Sequence, residues 1–100
     1  MHLCVHPSNL PFCSSDGMRR ATVLASSSRT PYFRVCASDD SGLKVSAKGA
    51  TINVSVGSPF KDPVVSSRNR VTYQGPLDGN VYVRIIRGKK EKKVVVKAEF

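Results

Sequence analysis

The chain has 100 residues, a formal net charge of +9 and 7% aromatic residues, with no tryptophan. A chain of this length forms one domain at most, and it contains no run of 18 apolar residues that could span a membrane as a helix. Its three cysteines, an odd number, argue against a complete disulfide framework.

Residues 1–37 differ in composition from the rest of the chain. They contain four arginines, no lysine and a single acid, Asp16, and they are rich in serine. Pro7, Pro11 and Pro31 interrupt any helix, because proline lacks an N–H donor and clashes with the preceding turn. A secretory signal needs an apolar core of roughly 7–15 residues, and none is present in this segment.

This Arg-rich, Ser-rich and acid-poor segment resembles the chloroplast transit peptide of a plant nuclear-encoded protein. Val35-Cys36-Ala37 is similar to the loose motif, Val or Ile followed by any residue and then Ala or Cys, that precedes stromal cleavage. The resemblance implies that residues 1–37 are a disordered transit peptide. It implies a mature protein that begins near Ser38 and resides in the chloroplast stroma or on the thylakoid. A mitochondrial presequence and a disordered tail without a targeting role are the alternatives.

The cysteines and histidines, the residue types most often used in catalysis and metal binding, lie in the N-terminal segment. All three cysteines and both histidines precede residue 38. Residues 38–100 therefore cannot supply a thiolate nucleophile, a Ser-His relay or a Cys/His zinc site. His2, Cys4 and His6 do not have the spacing of a familiar closed metal site. We expect a protein that is not an enzyme and that holds no cofactor or metal.

Residues 38–42 form a short acidic start of the predicted mature chain, and residues 43–100 have the pattern of a small β domain. Apolar and polar residues alternate from Leu43 onward, which is typical of half-buried strands. Gly49 predicts a tight turn or a bulge, and Gly79 and Asn80 predict a turn that tolerates positive φ. The predicted strands are 43–49, 50–57, 70–74, 81–88 and 92–100, with a weaker edge strand at 63–67.

Five strands in so short a segment predict a small five-stranded antiparallel barrel, SH3-like or OB-like. An antiparallel sandwich is the alternative, but a barrel removes the exposed edges of an open sheet. The predicted core is small, which suggests that a partner helps to hold the fold. It consists of Leu43, Val45, Ile52, Val54, Val56, Val71, Tyr73, Leu77, Val81, Val83, Ile85, Ile86, Val94 and Val96, with Phe60 as an additional member.

Positive charge is concentrated near the end of the chain. Gly88 lies within a predicted hairpin whose cations would repel one another, and an anionic partner would relieve that repulsion. Solvated lysines that protect a strand edge are the alternative interpretation. The predicted partner-binding residues are Arg87, Lys89, Lys90, Lys92 and Lys93 of this hairpin, together with Arg84, Arg68 and Arg70.

Tyr73 and Tyr82 lie on neighbouring predicted strands and are candidates for base stacking, as in OB and RNA-recognition folds. A tyrosine on a strand also packs its ring and leaves its hydroxyl wet without any ligand. The sequence thus leaves both interpretations open for these two rings.

Two function hypotheses follow from the charge. The first is a non-catalytic module that docks an anionic macromolecule, plastid RNA or the ribosome. The second is a small accessory or assembly subunit of a photosynthetic thylakoid complex, which docks an acidic protein and reaches the membrane only through that partner. An enzyme is disfavoured, and residues 38–100 carry no family motif.

Overall fold

The computed structural model describes residues 20–36, 38–39 and 42–100. These residues form eight β-strands, and every strand pairing is antiparallel, so the predicted mostly β fold is confirmed. Within the described ranges, no helix is long and apolar enough to cross a membrane. The strands are β1 (Arg20–Ala25), β2 (Tyr32–Val35), β3 (Ser38–Asp39), β4 (Leu43–Val56), β5 (Val65–Tyr73), β6 (Leu77–Asp78), β7 (Val81–Ile86) and β8 (Lys92–Glu99).

The central strand of the six-stranded sheet is β4, in the order β1-β8-β4-β7-β2, and β5 also pairs with β4. Residues 44–47 of β4 pair with β8, whereas residues 51–56 pair with β7. Beyond these, β1 pairs with β8 and β2 pairs with β7. We call the two parts the β1/β8 half and the β2/β7 half. The sheet curls as a half-barrel over one core, and β3 and β6 form a separate short pair.

A bulge allows β4 to run through both halves. The pairing with β5 shifts between Ala47 and Thr51, and Gly49 has a φ of 81°, a conformation that glycine adopts without steric cost. Ala47 faces the core before the bulge and Ile52 faces it afterwards. The two strands predicted on either side of Gly49 are therefore one strand, because the bulge preserves the inward side of both parts.

Most of the predicted core is buried. Val83 and Ile85 are fully buried, whereas Phe60 is 68% exposed and lies outside the core. Val56, Tyr73 and Ile86 are half-buried. The buried apolar residues are Val23, Ala25, Phe33, Val35, Leu43, Val45, Ala47, Ala50, Ile52, Val54, Val71, Leu77, Val81, Val83, Ile85, Val94, Val96 and Ala98.

The domain boundary differs from the one predicted. Residues 20–25 and 32–35, predicted to belong to a disordered transit peptide, are strands of the sheet. Ala25, Phe33 and Val35 are fully buried, because the apolar residues of these strands alternate and cover the otherwise exposed edges of β8 and β7. The β domain therefore includes Arg20 rather than beginning at residue 43. The rest of the predicted transit peptide, residues 1–19, lies outside the described residues.

The segments around the predicted processing site also take part in the fold. Ser38–Asp39, predicted as a free acidic start, pairs with Leu77–Asp78. Cys36 is disulfide-bonded. Gly79 has a φ of 84°, as its sequence predicts, but Leu77–Asp78 within the predicted turn at 75–80 forms β6.

The predicted hairpin at 87–93 is absent, since β7 and β8 do not pair with each other. Both strands pair with β4, β7 along residues 51–56 and β8 along residues 44–47. The segment between them lies beside the β4 bulge, and we call this region the bend. Ser27 N donates a hydrogen bond of 3.1 Å to Gly88 O at this bend. Arg29 and Glu91 form a salt bridge there, with 3.3 Å between Nε and Oε1. The 87–91 segment is thus a crossing between two halves rather than the tip of a hairpin.

Replacing Gly49 by alanine is expected to destabilise the protein by about 1–2 kcal/mol, because a β-carbon disfavours the left-handed backbone that the bulge requires. Gly88 is the matched control, since a β-carbon there would meet no atom within 4 Å. Gly88→Ala should leave the stability unchanged or raise it by about 0.4–1 kcal/mol. Urea denaturation midpoints of the two variants measure the difference. Equal midpoints would show that the bulge does not depend on glycine.

Candidate functional site

The outer face of the β1/β8 half, opposite to the core, carries a row of cations across four strands. Arg20 of β1 lies opposite Lys97 of β8, and Lys97 lies opposite Ser46 of β4. Ser46 in turn lies opposite Arg70 of β5. Because neighbouring strands are about 4.8 Å apart, this row spans roughly 14 Å.

Two further lysines extend this row along β4. Lys44 and Lys48 lie two residues before and after Ser46, so the alternation of a strand places all three on the outer face. We call the surface formed by Arg20, Lys44, Lys48, Arg70 and Lys97 the cationic groove.

The cationic groove is an open depression with an apolar patch on its floor. It has a volume of about 620 Å³ and is lined by Arg20, Ser46, Lys48, Asn69, Arg70, Val95 and Lys97. Val95 is 40% exposed. An adjoining depression of about 330 Å³, which shares Ser46, Arg70 and Lys97 with it, extends the cationic groove to Lys44 and Glu99.

Among the described residues, no salt bridge neutralises the charges of the cationic groove. The salt bridge found among the described residues joins Arg29 to Glu91 at the bend, away from the groove. Glu99 is the cross-strand neighbour of Lys44, but the two do not form an ion pair. Like charges directly opposite one another in a sheet are destabilising, so the Arg20–Lys97 pair costs stability in the free protein. An anion in the groove would remove that cost.

The structure separates the cations that the sequence predicted as one cluster. Arg87 lies at the bend beside Gly49, and Lys89 and Lys90 are exposed in the segment between the two halves. Lys92 and Lys93 belong to β8, opposite Ala25 and Leu24. These five residues therefore project from different parts of the bend and of β8.

The remaining predicted cations lie in different halves. Arg70 belongs to the cationic groove, and Arg68 lies opposite Thr51 on the far side of the β4 bulge. Arg84 is on the outer face of the β2/β7 half, where its Nε donates a hydrogen bond of 2.9 Å to Thr30 Oγ1. The structure thus assigns only Arg70 of these three to the groove.

The two tyrosines predicted on neighbouring strands are also separated. Tyr73 lies opposite Leu43 in the β1/β8 half, and its hydroxyl donates a hydrogen bond of 3.4 Å to Pro76 O. Tyr82 lies in the β2/β7 half, with its ring centroid 6.5 Å from that of Tyr32. β5 and β7 pair with opposite edges of β4. Because β4 lies between the two strands, they do not bring these rings together.

Four residues of the cationic groove were missed by the sequence reasoning. Arg20 was assigned to the transit peptide, and Lys44, Lys48 and Lys97 appeared as ordinary exposed positions of alternating strands. The sequence contained one indication of the groove. Lys44 and Lys48 are four residues apart on one strand, and Lys93 and Lys97 are four apart on another, so each pair lies on one face of its strand. Their convergence depends on the pairing of β4 with β8.

We find no sign of a metal centre in the described part of the chain, where no group of three His, Cys, Asp or Glu side chains comes together. His2, Cys4 and His6, which the sequence analysis considered, lie outside it. The side chains of the groove can bind an anion through their positive charge and through hydrogen bonds.

No known family model matches this chain, and no curated protein matches it. Among solved structures, the chain is similar to PliG of Aeromonas hydrophila, described as a periplasmic lysozyme inhibitor of g-type lysozyme. The match covers 91% of this chain and 96% of that chain, with 11% identity and a TM-score of 0.47. We draw no functional argument from a likeness at this level.

Proposed function

We propose that this protein is a non-catalytic module that binds an RNA strand along the cationic groove. The proposed partner is the one that the sequence predicts, an anionic macromolecule. The proposed contact surface is the β1/β8 half instead of the 87–93 segment. The plastid location is a separate proposal that rests on the composition of the N-terminal segment, and RNA binding does not depend on it.

The observation that carries this proposal is the Arg20–Lys97 pair. Two cations face each other directly across β1 and β8, with Arg70 on the far side of Ser46. Such an arrangement is destabilising unless an anion lies between or above the charges. RNA supplies one negative charge per nucleotide, and the counterions that it releases on binding favour the complex.

The shape and composition of the groove favour RNA over an acidic protein. Its cations extend roughly 14 Å across the strands and about 13 Å along β4, so that a phosphate chain can meet several of them in succession. Three of the five are lysines, which act as flexible point charges and suit phosphates spread along a strand. An acidic subunit of a photosynthetic complex is the alternative that the experiment below distinguishes.

The affinity for RNA is expected to fall linearly with salt on a logarithmic plot. If all five cations neutralise phosphates of a single strand, the slope should be about −3.5, because each contact contributes about −0.7. The affinity should then fall about 100-fold between 50 and 200 mM salt. Fluorescence anisotropy with a labelled 12-nucleotide oligouridine measures it.

The control ligand is a labelled oligoglutamate of the same formal charge. RNA binding predicts that the protein prefers the oligouridine at every salt concentration. Equal or tighter binding of oligoglutamate would support the acidic-protein alternative. A salt-independent affinity for RNA would contradict the proposed function.

A further inference from the structure

Phe60 is a large apolar ring that the protein holds in contact with solvent. It lies in the segment between β4 and β5 and is 68% exposed. Its backbone N–H donates a hydrogen bond of 3.2 Å to Ser58 Oγ. Burial of this ring against a partner would recover apolar free energy, so the ring is available for contact.

The segment that carries Phe60 is anchored at both of its ends. Gly57 N donates a hydrogen bond of 2.8 Å to Asn80 O, and Val64 N donates one of 2.8 Å to Val54 O. In the middle of the segment, Lys61 O accepts a hydrogen bond of 3.1 Å from the buried Ser55 hydroxyl. The ring is therefore presented in a defined position, which lowers the entropic cost of binding to it.

Tyr32 and Arg84 contact this ring, and Tyr82 contacts Tyr32. The centroids of Phe60 and Tyr32 are 5.4 Å apart with the rings at 71°, and the centroids of Tyr32 and Tyr82 are 6.5 Å apart. The Arg84 guanidinium carbon lies 5.4 Å from the Phe60 centroid, within the range of a cation–π interaction. We call Tyr32, Phe60, Tyr82 and Arg84 the aromatic cluster.

The aromatic cluster and the cationic groove occupy the outer face of the same sheet. Arg84 lies opposite Asn53 of β4, and the groove row crosses β4 at Ser46. Seven residues separate these positions, which corresponds to at most roughly 23 Å along a strand that rises about 3.3 Å per residue. A binding site of about 4–16 nucleotides, as found for other small β folds, covers such a distance.

We infer that the aromatic cluster stacks a nucleobase of the RNA whose phosphates lie in the cationic groove, so that the ligand is single-stranded. The inference rests on the proposed function and extends it from the phosphate backbone to the bases. Phe60 offers the exposed stacking surface, Tyr32 packs edge-to-face against it, and Arg84 supplies positive charge beside the base. Tyr82 in turn packs against Tyr32. Duplex RNA keeps its bases stacked within the helix and therefore cannot use this cluster.

Phe60→Ala separates base stacking from phosphate binding. The wild-type protein should prefer 12-nucleotide oligouridine over an abasic oligomer of the same length and charge by about 5-fold or more, the lower end of the effect of one stacked base. Phe60→Ala should lose this preference and keep the same affinity for the abasic oligomer. Val64→Ala is the matched control, because Val64 is 57% exposed in the same segment but is not part of the aromatic cluster.

A second readout does not depend on affinity. The chain contains no tryptophan, so Phe60→Trp introduces one fluorophore at the proposed stacking position. Saturating oligouridine should quench its fluorescence, whereas the abasic oligomer and duplex RNA should not. The circular dichroism spectra of all variants should match that of the wild type.

The possible failures are distinguishable. If Phe60→Ala and the wild type show the same preference and Phe60→Trp is not quenched, the stacking inference is wrong while groove binding stands. If neither oligomer binds the wild type in a salt-dependent manner, the proposed function fails and the stacking inference fails with it.

Discussion

A chain that begins at Ser38 is expected not to fold. The truncation removes β1 and β2, and with them the buried side chains of Val23, Ala25, Phe33 and Val35. It also leaves β8 and β7 with unpaired edges, which expose backbone donors and acceptors. A domain of this size has about 5–15 kcal/mol of stability in total, and the loss of two strands exceeds what it can tolerate.

The measurement is a thermal melt followed by circular dichroism, with the full chain as reference. A cooperative transition of residues 38–100 near the melting temperature of the full chain would contradict the prediction. An unfolded fragment would mean that any processed form that keeps this fold must begin before Ser38 and retain residues of β1 or β2. Mass spectrometry of the N-terminus of the natural protein then tests the predicted processing site directly.

Two point substitutions test the role of these strands without a truncation. Phe33→Ala should destabilise the full chain by about 3–5 kcal/mol, because it removes a fully buried ring and leaves a cavity. Leu24→Ala is the matched control in β1, since this side chain is 41% exposed on the outer face. It should cost clearly less, about 1 kcal/mol at most.

Reversal of charge in the cationic groove is expected to abolish RNA binding. The triple variant Arg20→Glu, Arg70→Glu and Lys97→Glu removes three of five predicted phosphate contacts. The affinity at 50 mM salt should fall at least about 100-fold, and the salt slope should shrink from about −3.5 to about −1.4. Fluorescence anisotropy with oligouridine measures both quantities.

The matched control reverses the same number of charges in the segment that the sequence predicted as the binding site. Lys89→Glu, Lys90→Glu and Lys92→Glu change the net charge equally and lie outside the groove. This variant should weaken binding much less and keep most of the salt slope, through long-range attraction alone. The opposite ranking would restore the 87–93 segment as the main contact. Both variants should keep the wild-type melting temperature within a few degrees, because the reversed pair at positions 20 and 97 remains a like-charge pair and the other exposed charges contribute little to stability.

Much of the strand pattern of residues 43–100, and the inward faces of β4, β7 and β8, could be predicted because both are local properties. The predicted strands 63–67 and 70–74 are instead parts of β5, and β6 lies within the predicted turn at 75–80. Alternation places Val45 and Ala47 on one side of β4, and Val83 and Ile85 on one side of β7. A two-residue period requires no knowledge of the partner strand. Gly49 likewise predicted its own bulge, since few other residues accept a positive φ.

Membership of β1 and β2 in the sheet could not be predicted from composition. Val23 and Ala25 alternate in one short segment, and Phe33 and Val35 in another. These patterns are too short to stand out within a region rich in serine and arginine. Their burial is a consequence of the edges that β8 and β7 offer to them, and those edges exist only in the folded sheet.

The location of charge depended in the same way on long-range pairing. Sequence proximity suggested a cluster at residues 87–93, but the bend of the sheet separates those residues. Register instead brings Arg20, Arg70 and Lys97 from three distant parts of the chain onto one row. The total charge follows from composition, and the proposal of an anionic partner rests on it. The surface proposed to meet that partner follows from strand register, because a shift of one residue would turn each of these side chains toward the core.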